Sequence, residues 1–412
     1  MSTDAPKPDY ARNMRLLAHS DMGGRPDGQQ VMVNQGYAYV GHMFSQGASV
    51  IDVRDPRAPA AVGYLPCPEG TWSLHLQSAE GLLLIANALD LGRVKSVEDD
   101  RDYYSGSMRT RLEGEGGREF AAGVRIYDTS DPAAPREIGF APVDGVGVHR
   151  VWYVGGRWAY ASVMPNGWSD FIFMALDVSD PTKPRWAGSH WIPGMHVAGG
   201  EEPAWGGRRY SCHHGIVSGD TAYVTWRDGG VTLVDVTDRE SLKPISHTTW
   251  CPPFGGGTHN ALPLPDRDLM IVVDEAVLER REDGVKHIWT FDIRAPENPV
   301  SISTFPIPEE ADYVARGGRF GPHNVHENRP GSFVSSTTIV GTYNNAGVRV
   351  YDISNPYRPE EVAACVPPVP ERMLDERPGR TRALTIVDAF ADAQGMVYAS
   401  DQNGGLFIIE RL

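Results

Sequence analysis

A chain of 412 residues with 41% hydrophobic and 22% charged side chains has the composition of a globular protein. Its net charge of −15 excludes the basic face that phosphate backbones require, so nucleic acid is not expected as a partner. There is no run of ~18 apolar residues and hence no expected membrane span; the opening MSTDAPKPDYARNMRLLAHSD carries no apolar signal region. The four cysteines (Cys67, Cys212, Cys251, Cys365) form no CxxC pair and read as reduced thiols of a cytoplasmic protein. A metal site would therefore have to rest on histidines and carboxylates.

In chain order, the first apolar segment is NMRLLAHSD at 13–21. One phrase then returns six times: ASVIDVRDPRAP at 48–59, VRIYDTSDPAAP at 124–135, FMALDVSDPTKP at 173–184, VTLVDVTDRESLKP at 231–244, IWTFDIRAPENP at 288–299 and VRVYDISNPYRP at 348–359. Each is an alternating apolar strand closed by Asp, followed by a proline-bearing turn. Proline fixes the turn and cannot continue a central strand, while the Asp side chain caps it. A further strand follows each turn, as in REIGFAPV at 136–143, and two more precede each phrase, as in HGIVSGDTAYVTW at 214–226. The unit is thus four antiparallel strands over roughly 50 residues, in the range of propeller blades. Units open near residues 29, 75, 149, 214, 259 and 323, and a seventh near 385 has three strands, ending in GGLFIIERL at 404–412. Its missing strand is expected from 13–21 at the other end of the chain, which closes a ring and removes both sheet edges. The expectation is an all-β, seven-bladed β-propeller of four-stranded blades, a single domain over 1–412, with insertions at 91–121 and 194–210.

The repeated L-V-D-V-x-D-P phrase, with His-Asn strand openings in GGGTHNALPL at 255–264 and FGPHNVHENRPG at 320–331, resembles the LVIVD-repeat β-propeller proteins. The resemblance covers nearly the whole chain and implies the fold; it implies little about the reaction.

In a propeller the first strand of each blade lines the central channel, so the starts of first strands form a ring around one mouth. Those positions carry Gln29 or Gln30, His75, His149, His214, His259, His323 and about Asp388; His213, beside His214, is an alternative by one residue. Five consecutive blades place a histidine there. A lone histidine at a turn is more often structural, but imidazoles crowded on one axis repel on protonation, and a divalent transition metal that binds neutral imidazole removes the conflict. The candidate ligands are His75, His149, His214, His259 and His323, and the candidate metals Fe, Mn or Zn. Asn260 and Asn324 serve either the rim or their turns.

The turns between second and third strands share that face. Asp274 and Glu275 end an apolar strand with no glycine after them, which makes each a candidate base or support for a ligand; Arg227 either clamps a substrate carboxylate or pairs with Asp228. Both insertions emerge on the histidine-bearing face and read as lids. The second carries His196, Glu201, Glu202 and Trp205 between glycines, and His196 is a candidate proton relay. The catalytic candidates are thus His196, Glu275, Arg227 and Asp274. The expected function is that of a metal-dependent enzyme, lyase, isomerase or hydrolase in type, acting on a small polar molecule. The alternatives are a non-haem Fe(II) oxygenase and a non-catalytic propeller scaffold.

Overall fold

The structure, a computed structural model, describes residues 5–94, 96, 99–112, 119–377 and 379–412. Residues 95, 97–98 and 113–118 of the first insertion lie outside the described residues. The protein is all-β apart from short helical turns, and its sheets are antiparallel meanders.

The first meander pairs Gly28–Asn34, Tyr37–His42, Gly47–Asp52 and Ala60–Pro66 in that order. Leu76–Ala79, Leu82–Leu89, Gly123–Asp128 and Arg136–Pro142 form the next, and Gly145–Trp152, Trp158–Pro165, Ile172–Asp177 and Arg185–His190 the third. These two join into one broader sheet through a single residue pair, Gly147 with Ala88. The strands Tyr210–Ser218, Thr221–Arg227, Val231–Asp235 and Lys243–Thr248 are likewise joined to Thr258–Leu264, Leu269–Asp274, Ile288–Asp292 and Val300–Thr304 through Arg227 and Thr258 alone. The last sheet is Ile386–Ala391, Met396–Asp401 and Gly405–Arg411 with Met14–Ser20 on its outer edge, paired from Met14 opposite Arg411 to Ser20 opposite Leu406 with one register shift between Leu16 and Ala18. The expected pairing of the two chain ends is therefore present.

The repeated Asp does what turn chemistry asks of it. Asp52, Asp128, Asp177, Asp235, Asp292 and Asp352 each accept a hydrogen bond from the backbone N–H two residues on, at 2.7–3.1 Å. This fixes the reversal before the outer strand. Between the sheets the alternating apolar residues interlock: Val40, Val50, Leu76, Leu83 and Tyr127 from the first two meanders share one core cluster. Each such buried aliphatic side chain contributes about 1.5–3 kcal/mol.

One meander departs from the expected pattern. Thr338–Thr342, Val348–Asp352 and Glu360–Val366 carry Tyr10–Arg12 as an additional outer strand. The segment at 323–326 faces them through one bridge, Val325 with Gly341, and three backbone hydrogen bonds: His323 N–H to the Thr342 carbonyl at 3.0 Å, Thr342 N–H to the Asn324 carbonyl at 2.9 Å and His326 N–H to the Val340 carbonyl at 2.8 Å. Pro322 and Pro330 lack the N–H groups that a longer ladder would use.

Candidate metal centre

The strand register is irregular where the inner strands open. It shifts between Gly28 and Val31, between Val148 and Arg150, between Tyr210 and His214, between Thr258 and Asn260, and between Ile386 and Asp388. A bulge inserts an unpaired residue and re-aims its side chain. Here the re-aimed side chains include His149, His213 and His259, and they converge with His75 and His323 on one cavity. Neighbouring rings are close: centroids lie 4.7 Å apart for His75 and His149, 4.8 Å for His149 and His213, 3.7 Å for His213 and His259, and 4.3 Å for His259 and His323.

The bulge also corrects one assignment. Alternation counted straight through Tyr210–Ser218 selects His214, but the register shift puts His213 in the ring. His214 lies deeper in the channel, where its Nε2 meets Glu327 Oε1 at 3.0 Å.

Three of the five ring histidines are oriented in the same way. Nδ1–H of His75 donates to the carbonyl of His149 at 2.6 Å, that of His213 to the carbonyl of His259 at 2.8 Å, and that of His323 to the carbonyl of Val387 at 2.5 Å. A carbonyl only accepts, so a proton sits on each Nδ1 and each Nε2 is turned to the cavity, bare where the ring is neutral. Burial drives His75, His149, His213 and His259 well below the usual histidine range, with nearby charges such as Arg150 and Arg227 adding to the effect. They are neutral imidazoles at pH 7.

Glu275 completes the cluster. Its carboxylate lies 3.2 Å from His323 Nε2 and 3.6 Å from His259 Nε2, and these three groups can share one ion. Burial acts to raise the Glu275 pKa, but the Arg227 guanidinium, hydrogen-bonded to it, outweighs this and holds it well below the usual range. Arg227 thus serves Glu275; it is not paired with Asp228, whose carboxylate accepts from the backbone N–H groups of Arg209 and Gly257.

The remaining candidates fall elsewhere. Asp274 is buried in the wall, where it accepts hydrogen bonds from Trp250 Nε1 at 2.8 Å, Trp289 Nε1 at 2.7 Å and Thr258 Oγ1 at 2.9 Å. Three donors to one carboxylate make it a structural anchor, and it does not line the cavity. His196 is also absent from the cavity: its ring stacks on Trp168 at 4.2 Å. Its loop is folded back by Glu201, which accepts from Trp191 Nε1 and from the N–H groups of Gly194 and His196, and no residue of the insertion 194–210 lines the mouth. The first insertion does, through Leu91, Gly92, Asp100, Tyr103 and Tyr104. Arg209 binds it by donating to the Tyr103 carbonyl at 2.8 Å.

Gln402, in the turn between the second and third strands of the last meander, lines the cavity as that turn's place on the face implies; Tyr104, Arg319 and Arg377 line it too, and the sequence pattern does not single them out because they lie in insertions and connections outside the repeat. The signal for Arg319 was its place four residues before His323. All four cysteines are free thiols, and no helix among the described residues is long and apolar enough to cross a membrane.

The LVIVD repeat profile matches residues 27–65 and 216–243. No curated protein matches the sequence. Among solved structures, the β-propeller domain of Cps50 (Swd1) from Myceliophteria thermophila is similar at a TM-score of 0.54 and 12% identity, over 94% of this chain and 97% of that one. The N-terminal domain of Nup159 is similar at 0.53 and 9%, over 99% and 98%. A functionally unknown protein from Desulfotomaculum acetoxidans is similar at 0.50 and 10%, over 83% and 90%. At these identities the likeness concerns the fold alone.

Proposed function

This chain is an LVIVD-repeat β-propeller protein, and on that premise we propose that its meanders form a closed seven-bladed ring of four-stranded blades whose mouth holds one divalent transition metal. The pairing of Met14–Ser20 with Gly405–Arg411 supports closure, as does the hydrogen bond from Gln402 to Gln29, last meander to first, at 2.8 Å.

The observation that carries the metal is an electron-pair conflict. His323 has committed its Nδ1 proton to Val387, so in the neutral ring a bare Nε2 faces a carboxylate oxygen of Glu275 at 3.2 Å. Two acceptors at that distance repel unless a cation stands between them. His149 Nε2 and His213 Nε2 approach to 3.0 Å, and two imidazoles bound at about 2.1 Å with an angle of roughly 90–109° place their nitrogens about 3.0–3.4 Å apart. His259 Nδ1 is buried without a hydrogen-bond partner among the described residues. A proton would answer one of these features; an ion at the ring answers the conflict at Glu275 and gives the close imidazoles a common partner. The donor set, imidazoles with one carboxylate and no thiolate, suits Fe(II), Mn(II) or Zn(II).

The function that follows is that of a metal-dependent enzyme of the lyase, isomerase or hydrolase type, acting on a small polar molecule above the ring. A bound metal would supply Lewis acidity toward a substrate oxygen. Glu275, held ionised by Arg227, fits a ligand better than a base, because a carboxylate of depressed pKa takes up protons poorly. Proton transfer falls to a neutral ring imidazole left free of the ion, with His75 at the edge of the set. A second reading, an Fe(II) oxygenase, is favoured by His75, His149 and His213, neutral imidazoles that no carboxylate contacts at hydrogen-bond distance.

Metal analysis of protein purified without chelator and then offered Fe, Mn or Zn tests the site. One ion per chain is expected, lost in His259→Ala and His323→Ala; a protein that retains none rejects the centre. Oxygen uptake by the Fe-loaded protein then separates the two chemistries.

A further inference from the structure

One carboxylate of the first insertion meets three guanidiniums at the mouth. Asp100 receives Arg319 Nη2 at 2.9 Å, Arg377 Nη1 at 3.2 Å and Arg380 Nη1 at 2.5 Å. The one other carboxylate paired with these guanidiniums among the described residues is Asp375, which takes Arg377 at 2.7 Å and Arg380 at 3.4 Å. Three cations thus share two anions. Arg319 and Asp100 are almost fully buried, at 7% and 6% exposure.

The position of this cluster is as informative as its charge. Asp100 lines the cavity over the histidine ring and also an outer groove bordered by Asp99, Arg101, Glu279, Glu282 and Arg380. It stands between that groove and the ring cavity. The cavity has only about 40 Å³ of free space, room for about three water molecules. An organic molecule therefore needs the lining to yield, and Asp100, shared with the outer groove, is placed to do so.

The cavity lining is of two kinds: Met43, Trp72, Leu74, Leu91 and Tyr103 offer apolar surface, and Arg227, Arg319 and Arg377 offer cations. Three arginines against Asp100 and Glu275 leave a net charge of +1, in a protein whose total is −15. A divalent ion at the ring would raise the local charge further, and such a local positive field in a low-dielectric cleft concentrates anions.

We infer that the Arg319, Arg377 and Arg380 cluster is the binding site for the carboxylate of a small organic acid with an apolar body, and that Asp100 occupies it until such an anion replaces it. Guanidiniums bind carboxylates by paired, charge-assisted hydrogen bonds, so one carboxylate substitutes for another without loss of bonding. The incoming anion releases the Asp100 side chain from the arginines and places its body against Trp72 and against Tyr103, which Arg209 holds in place. This substrate class rests on the metal-centre reading for what happens next, but the binding step does not need the metal.

The test uses benzoate, with neutral benzamide as control, titrated by calorimetry into full-length protein freed of metal. Benzoate should bind, and benzamide should not. Asp100→Asn keeps the side-chain shape and removes the competing charge, so benzoate should bind it about tenfold more tightly. Arg377→Gln should weaken benzoate about tenfold or more, and this arm stands even if the Asp100 variant does not fold. Equal binding of benzoate and benzamide, or benzoate binding unchanged in both variants, overturns the inference. Metal content is measured on reloaded samples of the same proteins: stoichiometric metal without benzoate selectivity sinks the carboxylate site alone, whereas benzoate selectivity without metal sinks the metal centre alone.

Discussion

The mouth of the channel and its interior are built from the same residue types, histidine, carboxylate and arginine, and both are buried. In the interior nearly every charge has its answer. Glu327 accepts from His214 Nε2 at 3.0 Å and Gln77 Nε2 at 3.1 Å, with Arg150 at 3.9 Å and Arg329 at 3.7 Å. Arg329 also donates to the carbonyls of Ser78 and Tyr153, and Asn324 links Arg150 to Asp388. At the mouth the protons are turned outward into carbonyls of the neighbouring strand, and lone pairs are left facing one another. The adjacent residues His213 and His214 mark the boundary: the first presents a bare Nε2 to the ring, the second gives its Nε2 to Glu327. Burial of a histidine is therefore uninformative by itself; where its second nitrogen points separates a plug from a site.

The largest expected effect breaks the interior. Glu327→Ala leaves Arg150 and Arg329 without their carboxylate in a dry channel, and losing one partner of a buried pair costs about 3–5 kcal/mol. Denaturant unfolding measures this. Metal content should survive, since Glu327 does not touch the ring; loss of metal together with stability would mean that the two regions are one network.

A second effect is read through pH. Burial pushes Asp388 up to about 7, with Glu327 adding to the rise and Arg150 opposing it. An unfolded Asp titrates near 3.9. The folded state thus holds the proton more tightly, so this group's stability contribution is present at low pH and is lost as pH rises from about 4 through about 7. Asp388→Asn should abolish that slope, making the variant more stable than the parent at pH 8 by on the order of 2–4 kcal/mol. Parallel slopes for the two proteins would refute the assignment. Glu327 acts in the opposite sense and in a lower window, because its pKa is depressed to about 2: its contribution fades only as pH falls below about 4.

At the mouth, Glu275→Gln keeps the shape and removes the charge between His259 and His323. Metal affinity should fall about 100-fold, and stability should fall too, because Arg227 loses the carboxylate of a buried pair. Competition with a chelator of known affinity measures the metal affinity. An unchanged affinity would move the ion to the imidazoles of His75, His149 and His213.

Much of this was legible in the sequence, and the failures have physical reasons. The repeat carried the strands, because alternation and an Asp-capped turn are local. The junction of the two chain ends was legible because an unfinished meander needs a partner strand. Four of the five ring histidines followed from their place at the start of an inner strand; for the fifth the strand opening offered His214 with His213 as the alternative by one residue, and the bulge there puts His213 in the ring. Asp274 and Glu275 looked equivalent on paper. Only the tertiary arrangement gives Asp274 two tryptophan donors and Glu275 two imidazoles. Asp100 and Tyr104 stand in an insertion with no period at all, so no pattern could select them.

The smallest expected effect concerns the residue that sequence alone made most active. His196 sits among glycines on an insertion that leaves the histidine-bearing face, which suggested a mobile proton carrier. Its surroundings indicate a packed one. The imidazole lies parallel to Trp168 at 15° and meets Trp191 edge-on at 6.0 Å, while Glu201 draws in the backbone on either side. Removing one stacked ring costs about 0.5–1.5 kcal/mol. His196→Ala should therefore lower the unfolding free energy by about that amount and leave metal content and benzoate binding unchanged. A variant with normal folding and a much weaker metal or benzoate site would show that this loop reaches the ring in solution, and would return His196 to the set of candidate proton carriers.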